Sequence, residues 1–542
     1  MNQQETALLC NRHARLKAAR GDWDDQWEDI ALYSMPGKAD FVTQRSEGDP
    51  SRNRNIYDPT AAVSNHTLAS HMHMAMTSPA SKWFEQKFKD EMLRDQHDAK
   101  IWVEQCTDYM YSAINDSNFV SIINELYQNL IAFGTACLEV TYIIDPVDGF
   151  KLVFRDIPLS NLVFLENVHR QVDTVFEEMP ITFRQAKQLI GDVKIDRVEE
   201  GLKEDPDGDI TILRVVKPNE KFDPNKPLDP MKRRFISSYI VDKVEVKAEG
   251  LYELPYMVPR WGKMTTEPYG YGPGLLALPD VRTINEAKRL ELRGWEKAID
   301  PPLWGMAGAI VGKLRLEASG FTKVRDRNAI GVIGQGTHWQ ATQLKSDEIR
   351  QSIQAVYLID QLIMPERPNA TATEVEIRYN MMQKVLGPTM GRLQAELLNP
   401  MVNRIFNIML RNGELPEIPE ELAGAETEVR YTGPLARAQK SEESQAVERL
   451  INFIMGTAQL DPSVVDIIDM RLAARVVADQ WGVPQEVMRS QEAVEEIDAQ
   501  RAEQQAQQQA QQEQVQGAMV EEQQATATTA SVEAMRSVAG AM

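Results

Sequence analysis

Cysteine is scarce in this chain: Cys10, Cys106 and Cys137 stand far apart in 542 residues. Three scattered thiols give neither a disulfide framework nor a Cys-rich metal site, and they suit a reducing compartment. The longest apolar-rich uncharged stretch, residues 126–138, falls short of the ~18 residues expected of a membrane span. Residues 1–20 are polar and lack an apolar signal core. A chain that is cytoplasmic when made, with no membrane anchor, is expected.

The motifs of the common catalytic classes are missing as well. No G-x-x-x-x-G-K-[ST] cradles a phosphate, and no G-x-S-x-G or H-E-x-x-H occurs. The glycines of residues 270–274 and 331–336 lack the strand–glycine–helix order of a dinucleotide site. They read as a flexible loop and a turn. Asp205, Asp207 and Asp209 lack the glycine and closing glutamate of a calcium loop, so a solvated turn is expected. His71 and His73 are two apart, with His66 nearby. On a helix, two such rings point about 200° apart and cannot both serve one metal. No metal, cofactor or catalytic residue is assigned.

What the chain has in excess is acid. It carries 59 Lys and Arg against 80 Asp and Glu, a formal charge of -21. Tight, sequence-independent DNA binding needs clustered cations, because affinity grows with each phosphate neutralised. This balance argues against such a binder but permits a protein that lets DNA slide past. At 43% hydrophobic content a sizeable core can form, and the length implies several subdomains.

Periodicity predicts a mainly α chain with α+β segments. Trp23, Trp27, Ile30 and Ala31 fall at helical spacing, up to Pro36 and Gly37. Helical patterns follow over 58–77 and 96–133, the latter broken at residues 115–118. Residues 138–144 alternate as a strand, with a turn at 145–149 and a return strand at 151–155. Thr182 is a cap for a short helix to Ile190. Strands are expected at 210–216, 235–241 and 243–248. Residues 274–299 read as a helix ended by Pro301 and Pro302. Ser346 is expected to cap a helix over 347–364. Thr371 and Glu374 form a capping box opening a long helix to about Arg411. Gly387, Pro388 and Pro400 sit inside that helix, where kinks are expected. Residues 501–516 hold nine Gln, with Ala502, Ala506 and Ala510 on one helical stripe. A helical extension and plain disorder both fit.

Four strings together resemble the head-to-tail connector (portal) family of T7-like short-tailed phages. The sharpest is Thr371-Ala-Thr-Glu374-Val, then Leu386-Gly-Pro388, residues 391–400 (GRLQAELLNP) and Arg404-Ile-Phe406. A second combines Pro255-Tyr256, Pro259-Arg-Trp261, residues 267–273 (EPYGYGP), residues 277–280 (ALPD) and Asn285. A third is Phe133-Gly-Thr-Ala136. A fourth is Val172-Asp-Thr-Val-Phe176 with Thr182, Arg184 and Gln185. Their order holds over residues 20–435; the last ~100 residues match no motif.

The resemblance implies a portal fold of wing, stem, clip and crown. The wing would span residues 1–273, and residues 274–300 would be a stem helix. The clip would be 301–345, and 346–364 the second stem helix. A tunnel loop would follow at 365–370. Residues 371–435 would hold the kinked helix from wing to crown and its return, 436–500 the crown, and 501–542 a helical barrel or a disordered tail. The resemblance also implies a ring of twelve subunits at a capsid vertex of the virion, conducting double-stranded DNA in packaging and ejection. Terminase, capsid and scaffold proteins, and then tail adaptors, would be its partners. The tunnel loop, Pro365, Glu366, Arg367, Pro368 and Asn369, would meet DNA. Arg282, Glu286, Arg289 and Arg293 share one helix face. That face could line the channel, pair with a neighbouring subunit, or simply be solvated. Trp304, Trp339 and the glycines of the clip suggest strand exchange between neighbours. Other structural phage proteins (a scaffold or tail adaptor) and a DNA-processing enzyme are the alternative readings.

Overall fold

The computed structural model describes residues 3–38, 41–43, 54–90, 92–93, 96–147, 149–191, 193, 195–226, 228–299, 303–308, 323, 326, 328, 330–332, 339–362, 386–419, 422, 424, 427–431, 449–454, 456, 469–481, 487–489, 493–494, 496–508, 519 and 526–532. The chain divides into two compact units. The first comprises Met1–Glu85, Thr107–Leu415 and Val429–Gln439. The second comprises Gln86–Cys106, Pro416–Glu428 and Lys440–Met542.

The first unit opens with helices α1 (Gln3–Ala19), α2 (Gly21–Ser34) and α3 (Thr60–Met76). Strand β1 (Phe84–Phe88) and helix α4 (His97–Asn115) each contribute residues to both units, and α5 (Phe119–Phe133) follows in the first. The break between α4 and α5 falls at residues 115–118, as the pattern of polar residues predicts. α5 buries Ile123, Leu126, Leu130 and Phe133 and leaves Ser121 and Glu125 exposed on its polar side. A helix of that kind turns its apolar face to a core.

Two antiparallel sheets follow. Strands β2 (Leu138–Asp145) and β3 (Gly149–Asp156) form the predicted hairpin, and β9 (Tyr256–Met257) extends it at Leu138 and Glu139. The second sheet is a five-stranded meander: β4 (Leu162–Glu166), β5 (Val172–Thr182), β6 (Asp209–Pro218), β7 (Phe235–Val241) and β8 (Val244–Leu251). Asp242 and Lys243 have φ of 48° and 66°. They make a tight two-residue turn that suits the twist of a hairpin, so Lys243 lies in the turn, not at the head of the strand. Between β5 and β6 stand α6 (Phe183–Ile190) and α7 (Asp196–Glu204). Thr182 caps α6 as expected, and Gln185 completes a capping box.

Strand β5 was not legible in the sequence, because Pro180 interrupts it. Pairing with β4 ends at Glu177, while pairing with β6 continues to Thr182. Pro180 therefore sits where one edge carries no ladder, the place where a missing N–H is tolerated.

Buried charge joins the sheets. Glu139 on β2 accepts from Arg214 on β6, and its other oxygen lies 2.9 Å from Arg155 on β3. Arg155 reaches Glu177 on β5 at 2.8 Å. Tyr256 donates to Glu177, and Arg214 packs over the rings of Tyr239 and Tyr256. Burial, and then the charge of Glu139, push the Glu177 carboxyl above its usual range. An apolar core that shares Tyr256 with this network includes Trp27, Phe133, Ile157, Leu162, Phe164, Val175 and Tyr269.

In the second unit, Trp102 donates to the carbonyls of Pro416 and Glu417 and Phe88 stacks on Trp102. It also holds a helix α11 (Met470–Trp481), with Arg471 bonded to Asp498. Residues 496–508 are helical, and the Gln-rich part of them, 501–508, is exposed.

Candidate functional site

The most unusual surface of the first unit is built on a long helix pair. Helix α8 (Pro273–Ile299) has 27 residues, and α9 (Trp339–Val356) packs along it. Pro273 opens α8, as proline's fixed φ allows at a first turn.

The root of α8 is a joint made of glycines. Gly134 ends α5 with φ +74. A Cβ there would lie 2.4 Å from the backbone carbon of Tyr271. A Cβ on Gly274 would lie 2.3 Å from the Ala132 carbonyl oxygen. Strands β10 (Gly262–Lys263) and β11 (Gly270–Tyr271) pair across this point. Residues 270–274 are thus a close backbone contact, not the flexible loop expected of them. Glycine serves here because only it lets two backbones approach so near.

Polar contacts fix the upper half of α8. Asn285 accepts from the Tyr57 N–H at 2.7 Å and donates to the Asn55 carbonyl at 2.9 Å. On α9, Ser352 donates to Asp280 at 2.7 Å. Arg350 holds Asp58 through two bonds of 3.0 and 2.9 Å. Burial alone would raise the Asp58 carboxyl, but hydrogen bonds from Thr60 and Arg350 outweigh it and hold it below the usual carboxylate range.

Two expectations about α9 are corrected. It begins at Trp339, so Ser346 lies inside it and is buried rather than capping it. Residues 339–345 contain no Gly or Pro, so nothing stops the helix from extending upstream of Ser346. It ends at Val356 rather than Met364, because Leu358 turns to φ +59 before a short turn of helix, Ile359–Leu362.

The four charged residues of α8 do share a face, but they are partly occupied. Arg282 pairs with Asp29 of α2. Glu286 pairs with Arg289, whose hydrogen bond holds the Glu286 carboxyl below its usual range. Arg293 is exposed. Roughly 130° round the helix runs a second face. Its upper part, Ala277, Val281 and Ile284, is buried in the first unit. Its lower part, Leu292, Trp295 and Ile299, is exposed, Ile299 to 85%. Leu292 and Ile299 are thus left exposed, while the Lys288 ammonium lies 5.9 Å from the Trp295 ring centre. Beyond it, strand β12 (Leu303–Gly305) pairs with β13 (Ile330–Val332), with Trp304 opposite Gly331 and partly exposed. That pairing is made within one chain.

Pro365, Glu366, Arg367, Pro368 and Asn369 lie outside the described residues, as do Thr371 and Glu374. Gly387 and Pro388 are helical. Ahead of Pro400 the helix widens to a π turn, Gln394–Leu398, before α10 (Asn399–Asn412). The Asn399 N–H reaches back to the Gln394 carbonyl, an accommodation of the bond that proline cannot make. This π turn presents Glu396 to Arg260 at 2.8 Å, and Arg260 also meets Glu166. Sequence reasoning missed Arg260 and Glu396 as partners, since 136 residues separate them.

His73 is buried, with its Nδ1 3.1 Å from the Thr77 hydroxyl, while His71 is exposed on the far side of α3. Among the described residues no three His, Cys, Asp or Glu side chains gather to hold a metal, and no helix is long and apolar enough to cross a membrane.

A long helix pair, with Leu292 and Ile299 exposed toward the end of α8, is rooted in a mixed α/β unit. Residues 6–488 match the family described as bacteriophage head to tail connecting protein, and the chain belongs to that family. It is 27% identical over 525 residues to the portal protein of Salmonella phage epsilon15, covering 93% of this chain and 92% of that one. It is 26% identical over 515 residues to the probable portal protein of Bordetella phage BPP-1, at the same coverage.

Proposed function

We propose that this chain is the portal subunit of a short-tailed phage, a non-enzymatic component of the capsid vertex. Copies close into a ring, twelve on the family pattern, whose axial channel passes double-stranded DNA during packaging and ejection. Capsid and scaffold proteins surround it, terminase docks on it, and tail adaptors follow. Helices α8 and α9 are the stem, β12 and β13 belong to the clip, and the segment through α10 runs from wing to crown. The observation that supports this best is the full-length likeness to portal proteins. The exposure of Leu292 and Ile299 fits it, since a ring contact would cover them.

Native mass spectrometry of the purified full chain is expected to show one closed oligomer of many subunits, with an axial hole by negative stain. Single copies at all concentrations would overturn the reading.

An acidic ring repels DNA, and screening limits that effect to residues within about 8 Å of the lining. Residues 365–370 are the narrowest point on this reading, where Glu366 and Arg367 would act as a weak gate. Replacing both with Gly is expected to lower DNA retention in filled heads without stopping packaging. Unchanged retention would remove the gate.

A further inference from the structure

Helix α3 carries no Asp, Glu, Lys or Arg in its 17 residues, in a chain that is 26% charged. Its inner face, including Leu68, Met72 and Met76, is buried. Its outer face shows Val63 and Met74, 60% and 52% exposed, with His66 and His71 beside them. A surface helix ordinarily turns charge to water; this one does not.

A second apolar surface lies at the far end of the β2–β3 hairpin. Tyr142, Ile143 and Ile144 are consecutive and exposed, and Val147 in the turn is 91% exposed. Consecutive strand residues point to opposite faces, so both faces of this arm are apolar. Tyr142 stacks on Phe150 at 5.8 Å. The outer edge of β2 pairs with β9 only at Leu138 and Glu139. Apolar edge strands of this kind are ready to meet another chain.

Helix α5 packs between α3 and the base of the β2–β3 hairpin. Toward α3 it turns Tyr127, whose hydroxyl lies 3.3 Å from that of Thr77, and Gln128, 3.4 Å from His66. Toward β3 it turns Phe119, against Phe154, and Asn129, bonded to Asp156 at 2.6 Å; Asn118, just ahead of it, bonds the Phe154 backbone. At 100° per residue these two sets point roughly 170° apart round α5. The uncharged helix and the base of the hairpin, at Phe154 and Asp156, therefore lie on opposite sides of it.

A ring of identical subunits needs a head-to-tail contact between two different patches facing opposite ways. We propose that the arm at residues 142–147 of one subunit seats on the outer face of α3 of the next. This rests on the ring reading above, and the occupant is a second copy of this chain. Every copy carries -21 and repels its neighbour. The α3 face carries no Asp, Glu, Lys or Arg and the arm only Asp145, so copies approach there at low electrostatic cost.

The test uses the full chain with Val147→Cys and Met74→Cys together, and Cys10→Ser to remove the least buried native thiol. A short bis-maleimide cross-linker is applied to assembled rings. The expected result is a ladder of covalent multimers on denaturing gels, absent from either single cysteine variant. Rings that form but give no ladder overturn the arm contact while leaving the ring reading intact. Unaltered chain that never forms rings overturns the ring reading itself. Separately, Ile144→Asp is expected to weaken assembly roughly tenfold or more with the circular dichroism of the subunit unchanged. Normal assembly of that variant also counts against the arm.

Discussion

Gly134→Ala is expected to cost the folded chain about 4 kcal/mol or more, the range reserved for severe backbone lesions. Two costs add. The residue sits at φ +74, a conformation that charges an L side chain roughly 1–2 kcal/mol. The new methyl also meets the Tyr271 carbon at 2.4 Å, the Gly272 nitrogen at 2.5 Å and the Gly270 oxygen at 2.6 Å. All three are backbone atoms of the opposite strand, which no rotamer change can move aside. Relief requires α5 and the root of α8 to part. Gly149→Ala is the control. Its φ is +76, nearly the same, but nothing lies within 4 Å of its Cβ. That variant should lose only the conformational part, about 1–2 kcal/mol. Denaturant unfolding of both variants separates the terms. Equal losses would show that the glycine joint is not a close contact.

Arg214→Met should rank next, at about 3–5 kcal/mol, because it strands buried carboxylates. Glu139 would keep only Arg155, and Glu177 would keep Arg155 and Tyr256. Adding Glu139→Leu to Arg214→Met should recover much of the loss, since an apolar pair of similar volume is tolerated where a lone charge is not. The pH dependence has a definite sign. A carboxyl raised in the folded state binds its proton more tightly there than in the unfolded chain. Its favourable contribution is present below the ordinary value of about 4.3 and falls as pH climbs to the raised value. Glu177 is already raised by burial and by Glu139, and removing Arg214 raises it further. The deficit of the variant should therefore be smallest in acid and grow toward neutral pH. A deficit independent of pH would mean that Arg214 acts by packing on Tyr239 and Tyr256 alone.

Local signals carried much of the secondary structure. The Thr182 cap, the polar break at residues 115–118 and the 138–155 hairpin all stand where the residues place them. They depend on neighbours within a turn or two, so the code is readable in order. Ser346 shows the limit. A serine is a cap only where the chain upstream leaves helical geometry, and here the helix has already begun at Trp339. Strand β5 shows another. Pro180 argues against a strand until its neighbours reveal that one of its edges is unpaired.

The charged face of α8 was legible as a face and not as a set of contacts. Spacing of three and four placed Arg282, Glu286, Arg289 and Arg293 together, because helix geometry is periodic. That Arg282 meets Asp29, 253 residues away, could not be read from spacing. The apolar stripe below it was likewise indistinguishable from core until exposure separated Leu292, Trp295 and Ile299 from Val281 and Ile284.

Periodicity, turn residues and charge balance determined the alternation of helices with antiparallel strands and the acidic character of this protein, because each acts over a few residues or over the whole chain at once. The order of its motifs determined the family. Tertiary structure alone decided which glycines are joints, which carboxylates are buried beside which arginines, and which apolar residues of α8 stay exposed. Those depend on residues brought together across tens to hundreds of positions, where the free energy of a contact is set by burial and geometry rather than by anything written beside it in the sequence.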